Sequence, residues 1–194
     1  MTNPDLAGQT PLDPDEQAQL IPGHVTTQAQ LNEWEQVNIH QAVKWLGRAR
    51  VANVLTEDFC RTLHRRMFGQ TWRWAGTFRV SDKNIGCDWR QVPLRLHQLL
   101  GNAAYWLEAR VYPIDEAAAR FHHQLVLVHP FPNGNGRHAR LMTDRLLRQC
   151  KAPPFLWGSG ADLGAAGAVR NKYLDALRAA DRGEFAPLLE FVRR

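Results

Sequence analysis

The amino-acid sequence predicts a mainly α-helical protein, a single-domain helical bundle with one short β-hairpin. Apolar residues recur at helical spacing through most of the chain, and only residues 71–89 alternate apolar with polar side chains. The 194 residues include 44% hydrophobic side chains and no internal repeat, which suits one domain with a substantial core. We therefore predict an irregular N-terminal arm over residues 1–27 and a helical domain over residues 28–194.

The arm is rich in proline, so we expect it to be irregular apart from one turn at Asp13–Leu20. Thr26 or Thr27 has the side chain of a helix N-cap, and a helix is predicted from about Gln28 to Ala49. Its apolar stripe is assigned to Leu31, Trp34, Val37 or Asn38, Val43 and Leu46. This assignment places the nearby Glu33 and Glu35 on the solvated face of the helix.

A second helix is predicted from Thr56, because Glu57 and Asp58 in its first turn favour the positive end of the helix dipole. Beyond it, the alternating pattern of residues 71–89 contains a turn at Ser81–Asn84 and predicts the two-stranded hairpin. The alternative is an ordered loop that its tryptophans hold in place.

Five more helices complete the predicted bundle. Proline at a first turn and acidic residues near a helix start mark two of their beginnings, and a proline marks one end. We place them at Pro93 to about Glu108, Asp115 to His129, from the following loop to about Gln149, at about Leu163–Ala180 and at Phe185–Val192.

The stretch from His129 to Arg140, H-P-F-P-N-G-N-G-R-H-A-R, combines a sharp helix–loop–helix turn with the residues of an anion site. Pro130 ends the first helix at His129, and Gly134 and Gly136 allow the loop to turn its backbone N–H groups outward. The next helix begins here, and its free N–H groups and dipole favour a bound anion.

Two arginines strengthen this prediction, since Arg137 and Arg140 offer guanidinium groups suited to phosphate. His129 lies at the rim of the loop and is a candidate base, because histidine titrates near neutral pH. The string therefore predicts a phosphate-binding loop with a base beside it. The alternative is a glycine-rich turn with no chemical role.

Composition narrows the function classes. The net charge of +5 permits contact with anions, but the arginines are spread over several helices, and we predict no direct nucleic-acid binding.

The sequence has no apolar run near the ~20 residues that span a bilayer and no secretory signal, so we expect a cytoplasmic protein without membrane association. The histidines flanking His129 lack the acids or cysteines that would complete a zinc site, and we expect His64 and His97 to be surface or cap residues.

The stretch His129–Arg140 resembles the active-site motif of the Fic domain, H-P-F-x-[D/E]-G-N-G-R-x-x-R. The resemblance extends to Trp74-Ala75-Gly76, Phe78-Arg79 and Ile85-Gly86, which are similar to the family's flap hairpin, and to the C-terminal helices from Tyr173 to Phe191. It implies the Fic fold for residues 28–194. The arm, with Thr10–Glu16 and Leu20-Ile21-Pro22, is similar to a Fic subgroup called mobile mystery protein B.

The resemblance implies an enzyme, a protein adenylyltransferase, that transfers AMP from ATP to a Ser, Thr or Tyr hydroxyl of a target protein. His129 would be the general base. The nucleotide and its phosphates would bind at Gly134, Asn135, Gly136, Arg137, Arg140 and Tyr173, although core packing is an equal role for Tyr173. Ile85 and Gly86 would bind the target as an added strand.

One position departs from the family pattern, because Asn133 stands where an Asp or Glu is usual. That acid binds the Mg²⁺ ion of the nucleotide, and an amide oxygen at Asn133 would bind it less strongly. The resemblance thus implies ATP as substrate with Mg²⁺, and Asn133 as the metal ligand.

The family's inhibitory motif, [S/T]-x-x-x-E-[G/N], is absent from the sequence. We therefore expect control by a separate partner, such as an antitoxin or the DNA-binding protein that accompanies the subgroup. Other functions on the same scaffold stay open: transfer of another nucleotide or phosphate, removal of AMP, or nucleotide binding by a catalytically weak regulator in a toxin–antitoxin-like pair.

Overall fold

A computed structural model describes residues 10–158, residue 163 and residues 167–194. In this part of the chain the secondary structure is helical, and a 3₁₀ turn at Trp89–Gln91 precedes the fourth helix. The helices are α1 (Pro14–Gln17), α2 (Gln28–Arg48), α3 (Glu57–Phe68), α4 (Val92–Glu108), α5 (Ile114–Val128), α6 (Asn135–Gln149), α7 (Ala168–Asp181) and α8 (Ala186–Val192).

Helix starts follow the predicted caps. Thr27 Oγ1 accepts from the backbone N–H of Gln30, and the Gln30 side chain accepts from Thr27 N–H in return, so α2 begins with a capping box. Thr56 caps α3 in the same way through the N–H of Phe59. The predicted helix from Leu163 begins instead at Ala168; Leu163 itself is outside it.

Helices α5 and α6 form the centre of the bundle, because they pack on each other, α5 also packs on α4 and α8, and α6 also packs on α3. On one side, α2, α3 and α4 enclose an apolar core that includes Leu63, Leu96, Phe121, Phe131 and Met142. On the other side, α7 and α8 enclose a second core around Leu147, Phe155 and Leu188. The predicted helical bundle is confirmed, and the loop between α5 and α6 emerges at its centre.

The predicted β-hairpin is wrong. Residues 71–89, which we call the flap, form turns and bends, and the described residues contain no strand, only an isolated antiparallel bridge between Leu20 and Trp72. The reason is the Arg79 side chain, which donates to the carbonyls of Ser81 and Cys87. These carbonyls would otherwise be available to pair across a hairpin.

The alternative prediction, an ordered loop held by tryptophans, is confirmed. Trp72 and Trp74 are buried and stacked, with ring centroids 5.1 Å apart. Each indole N–H has a partner: Trp72 donates to the carboxylate of Glu35, and Trp74 donates to the backbone carbonyl of Glu16 in the arm. The flap is therefore anchored to α2 and to the arm.

The described part of the arm, residues 10–27, lies against the flap. The predicted turn is present as helix α1, and beyond it Ile21 N–H donates to Thr71 O while Arg73 N–H donates to Gln19 O. Leu12 and Val25 are buried in the first core. Residues 10–27 are irregular apart from α1, and these contacts fix their course, whereas residues 1–9 of the predicted arm lie outside the described part of the chain.

The α5–α6 loop depends on two left-handed residues, His129 with φ 50° and Gly134 with φ 77°. A Cβ atom on Gly134 would lie 2.6 Å from the Phe68 ring, so this glycine is required for both its conformation and its space.

We predict that Gly134→Ala lowers the free energy of unfolding by about 2 kcal/mol, because alanine is strained at this φ and displaces Phe68. Gly101→Ala is the matched control: it lies inside α4, and an added Cβ meets nothing within 4 Å. That change should raise stability by up to about 1 kcal/mol. Urea unfolding of the two variants measures both effects, and equal effects on stability would contradict the loop geometry.

Candidate active site

His129 lies at the end of α5, where Pro130 prevents the helix from continuing. Its side chain is 6% exposed, and its Nε2 atom is 3.0 Å from the Thr10 hydroxyl oxygen of the arm. The predicted base therefore already contacts a hydroxyl group, which comes from this chain.

The pKa of His129 is lowered to about 4. Burial is the main cause, because it penalises the charged ring, and the positive charges of Arg79 and Lys83 act in the same direction. The nearby backbone carbonyl of Val126 partly opposes them. His129 is thus neutral near pH 7, as a group that accepts a proton must be.

Arg79 ties the flap to the base. The buried guanidinium donates from Nε to the backbone carbonyl of His129 at 2.7 Å and from Nη1 to Ser81 O at 2.9 Å, and Nη2 donates to Cys87 O. The backbone N–H of Arg79 donates to Pro130 O at 3.0 Å. The sequence predicted Arg79 only as part of a family resemblance and gave it no role.

Gly86, one of the two predicted target-binding residues, lies against His129. A Cβ atom on Gly86 would be 2.7 Å from His129 Cβ, so only glycine fits against the histidine, and its φ of 119° also requires it. Ile85 beside it is half-buried. The structure therefore places Gly86 against His129, and target binding at Ile85 and Gly86 stays a prediction.

Two asparagines shape the loop. Asn135 is buried, and its side chain accepts from Phe131 N–H at 2.9 Å and donates to Phe131 O at 2.7 Å, which closes the turn. Asn133 Oδ1 accepts from Gly134 N–H, while its Nδ2 donates to the Thr10 carbonyl at 2.8 Å. In this arrangement Asn135 contacts loop backbone, and its predicted bond to phosphate stays a prediction.

His64 is buried and supports the loop from α3, so the expectation that it is a surface or cap residue is wrong. Its Nε2 is 3.0 Å from Asn133 O, its Nδ1 accepts from Gly76 N–H, and its ring stacks on Phe131 at 3.8 Å. The sequence signal for this role was its position: His64 follows Leu63 on the buried face of α3.

Gly136 and Arg137 lie in the first turn of α6, directly after the α5–α6 loop. N–H groups in the first turn of a helix have no acceptor within the helix, and the dipole is positive here, so this end can hold phosphate oxygens. Arg140 follows one turn later and is half-buried. The predicted phosphate-binding groups thus meet at one helix end.

Arg137 is not free in this arrangement, because its Nη1 lies 2.6 Å from Glu35 Oε2. The Glu35 side chain is 8% exposed, and its other oxygen accepts from Trp72. The expectation that Glu35 is solvated is wrong. The buried face of α2 is Leu31, Glu35, Asn38, Ala42 and Leu46, a helical stripe that contains two polar residues.

Tyr173 lies behind Arg140 in the second core. Its hydroxyl is 2.8 Å from His122 Nε2, and the Arg140 guanidinium is 6.0 Å from its ring centroid. Burial raises the pKa of Tyr173, and the positive charge of Arg140 opposes that rise. The contact positions Arg140, whereas a direct role for Tyr173 in nucleotide binding stays a prediction.

A resident magnesium site does not fit these residues. Asn133 offers one amide oxygen, which already accepts from Gly134 N–H, and the described residues contain no cluster of three metal-binding side chains of the His, Cys, Asp or Glu type. Mg²⁺ prefers several oxygen ligands, with carboxylates among them.

No helix within the described ranges is both long and apolar enough to cross a membrane.

Comparison with known proteins supports the sequence resemblance. Residues 54–147 match the model of the Fic/DOC family. A protein adenylyltransferase Fic from Nematostella vectensis is 28% identical over 167 residues, which make up 82% of this chain and 37% of that protein. A protein adenylyltransferase Fic from Aedes aegypti is 31% identical over 135 residues, 67% of this chain and 25% of that protein. The chain therefore spans only part of the length of these relatives.

Solved structures share the fold. Fic-1 from C. elegans superposes with a TM-score of 0.64 at 26% identity, over 92% of this chain and 51% of that one. The BepC protein from Bartonella tribocorum, solved with bound AMPPNP, superposes with a TM-score of 0.66 at 20% identity, over 92% and 95% of the two chains. The mainly helical fold predicted from the sequence is confirmed.

We predict that acid destabilises the protein through its buried histidines. Burial lowers the pKa of His122 to about 3 and of His138 to about 4, like that of His129, and lowers the pKa of His64 well below its ordinary value. Between about pH 6.5 and pH 4 the unfolded chain then binds more protons than the folded one. The free energy of unfolding should therefore decrease as the pH is lowered through this range, by up to about 1.4 kcal/mol per pH unit for each histidine.

Urea unfolding at a series of pH values measures this slope, and His129→Gln should reduce it by the share of one histidine. The side-chain NMR signal of His129 gives a direct check, with a midpoint at about 4. A midpoint near the ordinary value of 6.5 would contradict the buried, neutral state.

Proposed function

The chain carries a domain of the Fic/DOC family over residues 54–147, and we propose that it transfers AMP from ATP to a hydroxyl side chain of a protein. The observation that carries the proposal is the contact between neutral His129 and a hydroxyl group, 3.0 Å apart, next to the N-terminus of α6. The names of its relatives, which are protein adenylyltransferases, support the same reaction.

The proposed step begins when His129 Nε2 accepts the proton of the acceptor hydroxyl. The oxygen attacks the α-phosphorus of ATP, a new P–O bond forms, and the bond to the bridging oxygen breaks so that pyrophosphate leaves. Such transfer depends mainly on alignment and on stabilising the charge of the phosphates. The neutral ring of His129 is held for this role by Arg79 on its carbonyl.

In the proposed complex the phosphates bind at the N-terminus of α6, through backbone N–H groups around Gly134 and Gly136, with Arg137 and Arg140 supplying positive charge. Arg140 is supported by Tyr173. Arg137 reaches the phosphates once it exchanges Glu35 for them, so the resting arrangement holds one of the two arginines away from the nucleotide.

Mg²⁺ is proposed only as part of the ATP substrate, held mainly by the phosphates, since the loop does not form a resident site. Asn133 as a protein ligand to that ion stays a prediction. The flap, at Ile85 and Gly86, is proposed to hold the backbone of the acceptor protein beside His129.

The same proposal includes a protein partner and a cellular location. Protein acceptors follow from adenylyl transfer, while an antitoxin or a DNA-binding partner, the similarity of the arm to mobile mystery protein B and a cytoplasmic location stay predictions from the sequence. Transfer of UMP, GMP or phosphate, removal of AMP, and nucleotide binding without transfer are the competing functions, and the labelling experiment below separates AMP transfer from phosphate transfer.

The direct test uses the purified chain, Mg²⁺, a cell lysate as source of acceptors, and ATP labelled at either the α- or the γ-phosphate. AMP transfer attaches the α-label and not the γ-label to protein, whereas phosphate transfer does the reverse. His129→Ala should remove the label, and His97→Ala, an exposed histidine on α4, should retain it. Absence of the α-label on any protein, or its persistence in His129→Ala, would overturn the proposal.

The Glu35–Arg137 pair generates a further prediction. Glu35→Gln removes the charge that occupies Arg137 and still accepts from Trp72 Nε1–H. An ionic hydrogen bond of this kind is worth about 1.5–3 kcal/mol, so the affinity for ATP should rise by about tenfold or more.

Glu33→Gln is the matched control, because Glu33 lies two residues away on α2 and is exposed. Titration calorimetry with ATP and Mg²⁺ measures both variants. Unchanged affinity in Glu35→Gln, or an equal rise in Glu33→Gln, would show that the pair does not restrain nucleotide binding.

A further inference from the structure

The hydroxyl at the base belongs to Thr10 of the arm, and we infer that Thr10 is itself an acceptor for AMP, modified within the same chain. This inference rests on the proposed function. Thr10 Oγ1 lies 3.0 Å from His129 Nε2, and the two residues are 5% and 6% exposed. A hydroxyl that donates to the unprotonated nitrogen of a neutral histidine has the starting geometry for proton transfer.

The backbone of Thr10 is held as well as its side chain. Its carbonyl accepts from Asn133 Nδ2 at 2.8 Å, and Asn133 is itself oriented by the N–H of Gly134. A carboxylate at position 133 has no proton to donate and would repel this carbonyl. The amide that departs from the family motif is therefore the group that holds the acceptor residue in the loop.

The residues after Thr10 are fixed by the flap, the element that we propose to hold acceptor proteins. Lys83, whose side chain is 2% exposed, lies 2.7 Å from both Asp13 Oδ2 and Glu16 Oε2. Ser81 also donates to Asp13 at 2.7 Å. Buried ionic contacts of this kind fix position and register, so the arm is bound at the flap as a specific segment rather than as a loose cover.

These contacts place Thr10 against His129 and against Asn133, which precedes the helix end that we propose to bind phosphate. In the inferred step the Thr10 hydroxyl proton moves to His129 Nε2, and Oγ1 forms a bond to the α-phosphorus of ATP. The bond from that phosphorus to the bridging oxygen breaks, and pyrophosphate leaves. The product is a phosphodiester between Thr10 and adenosine, formed without any further reactant.

A segment that only blocked the site would need to fill it and would not need a hydroxyl on the base. Valine has nearly the same shape as threonine and would block equally well. The two roles therefore separate at one atom, Thr10 Oγ1.

The test incubates the full chain with ATP and Mg²⁺ and follows its intact mass. We expect the addition of one AMP, which peptide mapping by tandem mass spectrometry places on Thr10. Thr10→Val should reduce the modification to background, and Thr10→Ser should retain it. Thr26→Val, a control in the exposed part of the arm, should also retain it. If Thr10→Val is poorly folded, mapping of the unaltered chain still decides.

Modification within one chain also requires a rate that does not change with protein concentration. A mixture of the unaltered chain with His129→Ala, which keeps Thr10 and differs in mass, should show AMP on the unaltered chain alone. AMP on the His129→Ala chain would overturn modification in cis.

The outcomes distinguish this inference from the proposed function. AMP on lysate proteins with none on Thr10 would overturn the inference and leave the function intact, with the arm acting only as a cover. AMP on neither would remove both. AMP on Thr10 that depends on His129 supports both.

Discussion

The contact on which the site depends is the hydrogen bond from the buried Arg79 guanidinium to the backbone carbonyl of His129. Proline at position 130 ends α5, and His129 is left in a left-handed conformation with a carbonyl that no helix can satisfy. The planar guanidinium of Arg79 donates to this carbonyl and also to two carbonyls of the flap. A buried charge is tolerated only with such a full set of partners, so helix end, flap and base are fixed together.

The charged groups around the site set the protonation state of His129 and the partners of its cationic side chains. The positive groups around the loop lower the pKa of His129 together with burial, which keeps the ring neutral and able to accept a proton. We propose that the same positive character at α6 attracts phosphate, and in the resting arrangement Glu35 compensates part of it at Arg137. The arm makes a second compensation, since Asp13 and Glu16 pair with Lys83. Both acidic contacts lie at places that a nucleotide or an acceptor protein would approach.

Local patterns in the sequence predicted what depends on local physics. The cap at Thr27, the start of α3 next to Thr56, and the end of α5 at Pro130 follow from neighbouring residues alone. The hairpin prediction failed because the Arg79 side chain, which is held at the carbonyl of His129 50 residues away, takes the flap carbonyls that strand pairing needs. Glu35 was placed in solvent because the apolar stripe of α2 was assigned through Val37 and Val43, which are exposed. The contact between Thr10 and His129 joins residues 119 apart, and no local pattern could predict it.

The central claim is that one helix end holds a nucleotide with its α-phosphorus facing His129 and the hydroxyl bound there. A crystal structure of the full chain with Mg²⁺ and a non-hydrolysable ATP analogue tests it most directly. We expect an α-phosphorus about 3–3.5 Å from Thr10 Oγ1, with the leaving pyrophosphate in line behind it and Arg137 released from Glu35. A nucleotide bound with its α-phosphate turned away from His129, or bound elsewhere on the protein, would contradict it.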